Sequence, residues 1–241
     1  MKSCLTLCVL LCWTTVARAG DVTVAVASNL LGTVEELAAA FEAISDHNVL
    51  ISHGSTGQLY SQIELGAPFD IYLAGDVERP VLLLGSGKAT ETRTYAFGHL
   101  SLVSKEEITV ESAPDVLAGK TVALADPTVA PYGKAATLAM ERLALDTATF
   151  RPVLVANVGQ VASVFVTGNA DAAFIAEAQV DDVNARFVLS LVGLIPEIRQ
   201  DAAFLARASD NEAAKAFWDW LAEDTAAKII GAAGYSLPGS G

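Results

Sequence analysis

The residues best placed to do chemistry are polar side chains and glycines where predicted strands give way to helices. Four such places occur: Ser28-Asn29, Ser55-Thr56, the loop 126–133 and Asn157-Val158. A helix is predicted to follow each one, and its first turn carries N–H groups with no partner inside the helix. Those groups, with the helix dipole behind them, favour negative charge. The first two places add hydroxyl or amide donors, and none of the four requires Lys or Arg. A cleft lined only by donors suits a fully ionised tetrahedral dianion such as molybdate, tungstate or sulfate, because every oxygen accepts. Protonated phosphate carries an O–H that wants an acceptor, and burying it unpaired costs on the order of 1–3 kcal/mol. About seven donors, each worth roughly 1.5–3 kcal/mol toward a charged group, give on the order of 10–20 kcal/mol gross. After ordering and desolvation losses, about 8–12 kcal/mol remains, a micromolar to nanomolar dissociation constant. The competing explanation at every place is helix capping, which Ser, Thr, Asn and Asp perform by satisfying the same orphan N–H groups. What separates the two is whether the donors point back at their own chain or outward into a cleft.

The elements that would position these donors occur twice. Thr23-Val24-Ala25-Val26-Ala27-Ser28-Asn29 resembles Thr121-Val122-Ala123-Leu124-Ala125-Asp126-Pro127, each a buried strand ending in turn residues. Ser55-Thr56-Gly57-Gln58 opens a helix that closes at Gly66, and Asn157-Val158-Gly159-Gln160 opens one that closes at Gly168. Leu59 with Ile63, and Val161 with Val164 and Phe165, fall at helical spacing, while Gly66 and Gly168 sit where left-handed C-terminal caps belong. Asp70 and Asp171 then lead into apolar strands, 71–74 and 172–176. Strands alternating with helices imply α/β architecture with a largely parallel sheet. Two such halves predict two similar α/β lobes facing one another across a ligand cleft. Crossovers are expected near 96–103 and 195–204, two adjacent strands forming a hinge for ligand-driven closure. A helix over 211–231 should return Trp218, Leu221 and Ile229 to the first lobe. The expected division is lobe I over 20–97 plus 203–241, and lobe II, with the crossover segments, over 98–202.

Residues 1–19 read as a cleaved secretory signal: Lys2, an apolar run over 4–13, then Ala17-Arg18-Ala19. The run is far shorter than the roughly 20 residues that span a bilayer, so export, and a soluble mature chain, is expected. Cys4, Cys8 and Cys12 all fall inside that segment, which excludes disulfide scaffolds and cysteine enzymes. Without Lys2 and Arg18, 13 basic residues face 28 acidic ones, a balance of −15. With no basic cluster, nucleic acid is excluded as a partner. An acidic surface also opposes anions at long range, so an oxyanion site must rely on close, fixed dipoles.

At the segments 27–29, 54–57, 66–74, Ala130-Pro131-Tyr132-Gly133, Asn157-Val158 and 196–201, the chain resembles the periplasmic molybdate-binding proteins of ABC importers, from Val22 to the C-terminal helix. The resemblance implies a type II periplasmic binding protein fold, no catalysis and no cofactor. It implies a monomer that captures molybdate or tungstate in the periplasm and delivers it to a membrane permease. Carried over residue by residue, it places the oxyanion on Ser28, Asn29 and Ser55, and on the backbone N–H groups of Tyr132 and Val158, with no direct metal-ion ligand. Two departures stand out: Ala176 occupies the position where some relatives place a tyrosine hydroxyl, and Glu177 follows it. In the cleft Glu177 would repel a dianion, so it is expected to face solvent.

Three rival functions follow from the same residues. A same-fold protein could bind another anion, such as sulfate, a small organic acid or an unusual oxyanion. An organic carboxylate usually invites an Arg clamp, and the arginines, Arg79 and Arg199 among them, stand away from the four strand ends in sequence. A secreted hydrolase would need Ser28 or Ser55 activated by His53, His99 or His47, with an orienting acid. No Gly-x-Ser-x-Gly elbow or metal-binding His cluster supports it. A sensory or structural module would share the fold alone.

Overall fold

A computed structural model describes residues 19–239; the expected signal segment, with its three cysteines, otherwise lies outside the described residues. Two five-stranded sheets organise the chain. The first contains β1 (Asp21–Ala27), β2 (Asn48–Gly54), β3 (Ile71–Leu73), β4 (Ala89–Gly98) and β10 (Ile198–Leu205), in the order β2-β1-β3-β10-β4. The second contains β5 (Leu100–Ser104), β6 (Thr121–Ala125), β7 (Arg151–Val155), β8 (Ala172–Ala176) and β9 (Phe187–Ser190), in the order β7-β6-β8-β5-β9. Position by position the orders match, so the repeat legible in the sequence is a repeat of topology. Each sheet is mixed rather than largely parallel. The first three strands run parallel, and the strand that has just changed sheet, β10 or β5, enters antiparallel between the third and the last.

Alternation within β1 and β3 explains why both faces of the first sheet are covered. Val22, Val24, Val26, Ile71 and Leu73 face one core, while Ala25 and Tyr72 face another. On the first side pack α1 (Leu31–Glu42), through Val34, Leu37, Ala38 and Phe41, and two C-terminal helices. On the second, α2 (Thr56–Glu64) contributes Leu59 and Ile63, and α3 (Glu78–Gly85) contributes Leu83. Around the second sheet one continuous core gathers α4 (Ala113–Leu117), α5 (Pro131–Arg142), α6 (Val158–Val166) and α7 (Val180–Val183). Gly66 and Gly168 close α2 and α6 at φ of 91° and 79°, the left-handed conformation that favours glycine.

Two expectations shift. The chain changes sheet between Gly98 and Leu100, as predicted, but changes back between Ser190 and Ile198, earlier than 195–204, because Ile198 already pairs with Gly98. The C-terminal helix is two: α8 (Glu212–Trp220) and α9 (Asp224–Ala232), separated where Glu223 turns extended. The turn brings Phe217, Trp218, Trp220 and Leu221 from one helix, and Ala226 and Ile230 from the other, onto a single core.

Candidate functional site

The four strand exits converge. Ser28 and Asn29 form a short 3-10 turn after β1, Ser55 caps α2 after β2, Tyr132 is the second residue of α5, and Asn157-Val158 opens α6 after β7. All five residues inferred to hold the anion, Ser28, Asn29, Ser55, Tyr132 and Val158, line one compact cavity of about 10 Å³, with Gly54, Thr56, Pro131 and Asn157. It adjoins a wider cleft of about 810 Å³ that shares Ser28, Asn29, Gly54 and Asn157 and is also lined by His53, Gln58, Gln160, Glu35 and Asp182. The carboxylates of the wide cleft disfavour an anion there, and no acidic residue lines the small cavity.

Local chemistry builds each wall. Ser55 is extended (φ −71°, ψ 145°) and its Oγ accepts from the Gln58 N–H at 3.3 Å; Asn157 is extended too, and its Oδ1 accepts from Gln160 at 3.0 Å. Pro131 occupies the first position of α5, where a missing N–H costs nothing. Capping therefore leaves donors unspent. A cap takes the third N–H of its helix and leaves the first free, and among the described residues no protein acceptor engages the N–H of Thr56, Tyr132 or Val158. The Ser55 hydroxyl accepts with its lone pair and keeps its proton for a ligand.

The glycines of the two repeated tetrapeptides stitch the lobes together. Gly57 donates its N–H across the cleft to the Val129 carbonyl at 2.9 Å, and Gly159 donates across it to Ser28 Oγ at 3.3 Å. A Cβ at Gly57 would stand 3.0 Å from that carbonyl, and one at Gly159 would stand 3.3 Å from Ser28 Cβ. At Gly57 the clash is with backbone of the other lobe, so the added carbon would press the lobes apart. In the sequence these glycines mark the repeat, and their place one residue after a free N–H is the signal of this contact.

Three side chains sit differently from expectation. The Asn29 carboxamide does not offer a donor to the cavity, because its Nδ2 donates to Gln200 Oε1 at 2.9 Å and to the Tyr235 hydroxyl at 3.1 Å. Its main-chain N–H is what it has left for a ligand. Glu177 is half-buried rather than solvent-facing; Ser101 and Ser190 donate to its Oε2 at 3.0 and 2.9 Å, and it does not line the cavity. Arg79 is nearer than its sequence position suggests, with Nη2 3.0 Å from where a Gly57 Cβ would be, yet it is paired with Asp76 and lies outside the cavity lining. As for the histidines, His99 Nε2 contacts Ser236 Oγ at 2.9 Å, His47 stacks on Phe41 and His53 lines the wide cleft. Among the described residues none hydrogen-bonds Ser28 or Ser55.

Behind the cavity the Tyr132 phenol joins Tyr95, Gln200 and Tyr235 in a buried polar layer, the last three not among the expected site residues. Burial raises the Tyr95, Tyr132 and Tyr235 phenols above their ordinary range, so all three stay protonated. The polar run Arg199-Gln200-Asp201 in a strand whose other residues are apolar is its sign in the sequence.

Two α/β lobes with mixed sheets, strands that change sheet between them, and helix N-termini meeting at the cleft define the class: a two-lobed solute-binding protein. Residues 22–236 match the family model described as bacterial extracellular solute-binding protein. The molybdate-binding protein of Azotobacter vinelandii is 38% identical over 231 residues, covering 92% of each chain. That of Rhodobacter capsulatus is 37% identical over 229 residues, 91% of this chain and 89% of the relative. The solved structure of the periplasmic molybdate-binding protein of Azotobacter vinelandii superposes with a TM-score of 0.82 at 35% identity, covering 90% of this chain and 99% of that one. The chain belongs to the bacterial extracellular solute-binding protein family, and within it to the molybdate-binding proteins.

Proposed function

We propose that this protein captures molybdate or tungstate in the periplasm and passes it, as a monomer and without a cofactor or a catalytic step, to the permease of an ABC importer. The anion is held by the hydroxyls of Ser28 and Ser55 and the main-chain N–H groups of Asn29, Tyr132 and Val158, with Thr56 N–H as a further donor. The observation that carries this reading is a cavity walled by unpaired N–H groups and hydroxyls from both lobes, with no acidic side chain in its lining. A chain of net charge −13 attracts no anion from a distance, so binding rests on preset dipoles at contact range. Closure moves the lobe built on the first sheet, β10 included, against the lobe built on the second sheet.

Titration calorimetry of the mature chain with molybdate, tungstate, sulfate and phosphate tests it. The two larger oxyanions are expected to bind in the micromolar to nanomolar range, about 8–12 kcal/mol, with sulfate and phosphate far weaker. Ser55→Ala should cost roughly 1.5–3 kcal/mol of that affinity, the worth of one hydrogen bond to a charged group. No heat with molybdate or tungstate, or an unchanged Ser55→Ala constant, removes this assignment.

A further inference from the structure

Tyr235, Asn29, Gln200 and Tyr132 are joined in that order by one continuous circuit of hydrogen bonds. Asn29 Nδ2 donates to Gln200 Oε1 at 2.9 Å, and Gln200 Nε2 donates to the Tyr132 hydroxyl at 3.2 Å. At the other end, the Tyr235 hydroxyl donates to the Asn29 carbonyl at 2.8 Å and accepts from Asn29 Nδ2 at 3.1 Å. None of the four is more than 5% exposed, so each bond forms without competition from water. Three members belong to the first sheet and its C-terminal cover, whereas Tyr132 comes from α5 of the other lobe. The phenol of Tyr132 is thus anchored in the lobe opposite its own helix, while its N–H lines the anion cavity. The chain makes room for this circuit at the crossover itself, since a Cβ on Gly98 would collide with the Tyr132 hydroxyl and Gln200 Nε2.

We propose that this circuit is a positioning device for the anion site: it ties Tyr132 to the opposite lobe, fixes Asn29 from behind, and biases the ligand-free protein toward the closed state. Gln200 and Tyr235 touch no ligand and act through Asn29 and Tyr132. The affinity consequence rests on the oxyanion reading above; the bias toward closure does not.

Tyr95 supplies the control. Its hydroxyl is as buried and shares its one proton between the Ala74 carbonyl and Gln200 Oε1, each at 2.9 Å, but it bonds neither Asn29 nor Tyr132. Tyr235→Phe should weaken molybdate about tenfold, the effect expected from losing a buried hydrogen bond that orders a binding group. Tyr95→Phe, matched in burial and in the atom removed, should stay within about twofold, whatever its melting temperature. Gln200→Leu, a second break in the circuit, should share the loss and replaces Tyr235→Phe if that variant does not fold. Small-angle scattering of the ligand-free proteins should give a larger radius of gyration for Gln200→Leu, which removes the cross-lobe bond to Tyr132, than for wild type or Tyr95→Phe. Equal molybdate affinities for the two phenylalanine variants, or equal ligand-free radii, overturn the proposal. If wild type binds no oxyanion, the functional reading fails and the scattering comparison still decides the circuit.

Discussion

Asp70 and Asp171 occupy the same place in the two lobes and make the same backbone clasp. Each carboxylate accepts from a main-chain N–H one strand away, Thr23 at 2.8 Å or Thr121 at 2.9 Å, and each N–H returns a bond to that residue's carbonyl at 2.8 Å. Beyond the clasp they differ. Asp70 has a side chain only 6% exposed, ion-paired to Arg207 at 2.6 Å and touched by Asn211, both from the C-terminal segment that covers the first sheet. Asp171 is 40% exposed and meets Lys105 at 3.7 Å. The clasp is therefore what the repeated fold requires, and the surrounding ion pair records which lobe received an additional cover.

That contrast can be broken or sharpened by substitution. Asp70→Asn should be the most damaging, about 2–4 kcal/mol in urea unfolding, because it leaves Arg207 without its partner and weakens a buried clasp. A loss equal to that of Asp171→Asn would show that burial makes no difference. Next, removing the cap of α6 by Asn157→Ala should cost about 1 kcal/mol of stability, and Ser55→Ala a similar amount. Only the second of these should also deprive the anion of a hydroxyl, so calorimetry on the pair separates capping from binding. Smallest is Asp171→Asn, about 0.5–1 kcal/mol after allowance for exposure. Its pH dependence is distinctive: the Thr121 N–H, aided by Lys105 and more distant cations, holds the Asp171 carboxyl below its usual range. A depressed folded-state value stabilises above the unfolded pKa, about 3.9, and the gain disappears as pH falls through the folded value. The difference between wild type and Asp171→Asn should thus be full at pH 6 and shrink below about pH 4.

Much of this was written in short segments of sequence. Strands alternating with amphipathic helices, the twin Gly-to-Gly intervals and the two aspartates are local signals, and local chemistry decides them: capping, left-handed φ and periodic burial. The cavity was legible for the same reason, since strand exits in repeated units must lie on corresponding edges. What escaped notice depends on distant partners. Asn29 meets Gln200 and Tyr235 across 171 and 206 residues, and nothing near Asn29 says that its amide turns away from the cavity. The break between α8 and α9 carries no Gly or Pro; a shared core imposes it, and only the folded chain shows that core. Glu177 likewise finds its two serines on β5 and β9, neither adjacent in sequence.

The placement of β10 has a consequence for how the molecule is made. All five strands of the second sheet lie within residues 100–190, whereas the first sheet keeps an empty slot between β3 and β4 until residues 198–205 arrive. Domains usually mature in the order in which they leave the ribosome. Here the half begun first must wait for the half begun second, and its β4 edge stays unpaired throughout that interval, open to the wrong strand until the last fifth of the chain emerges.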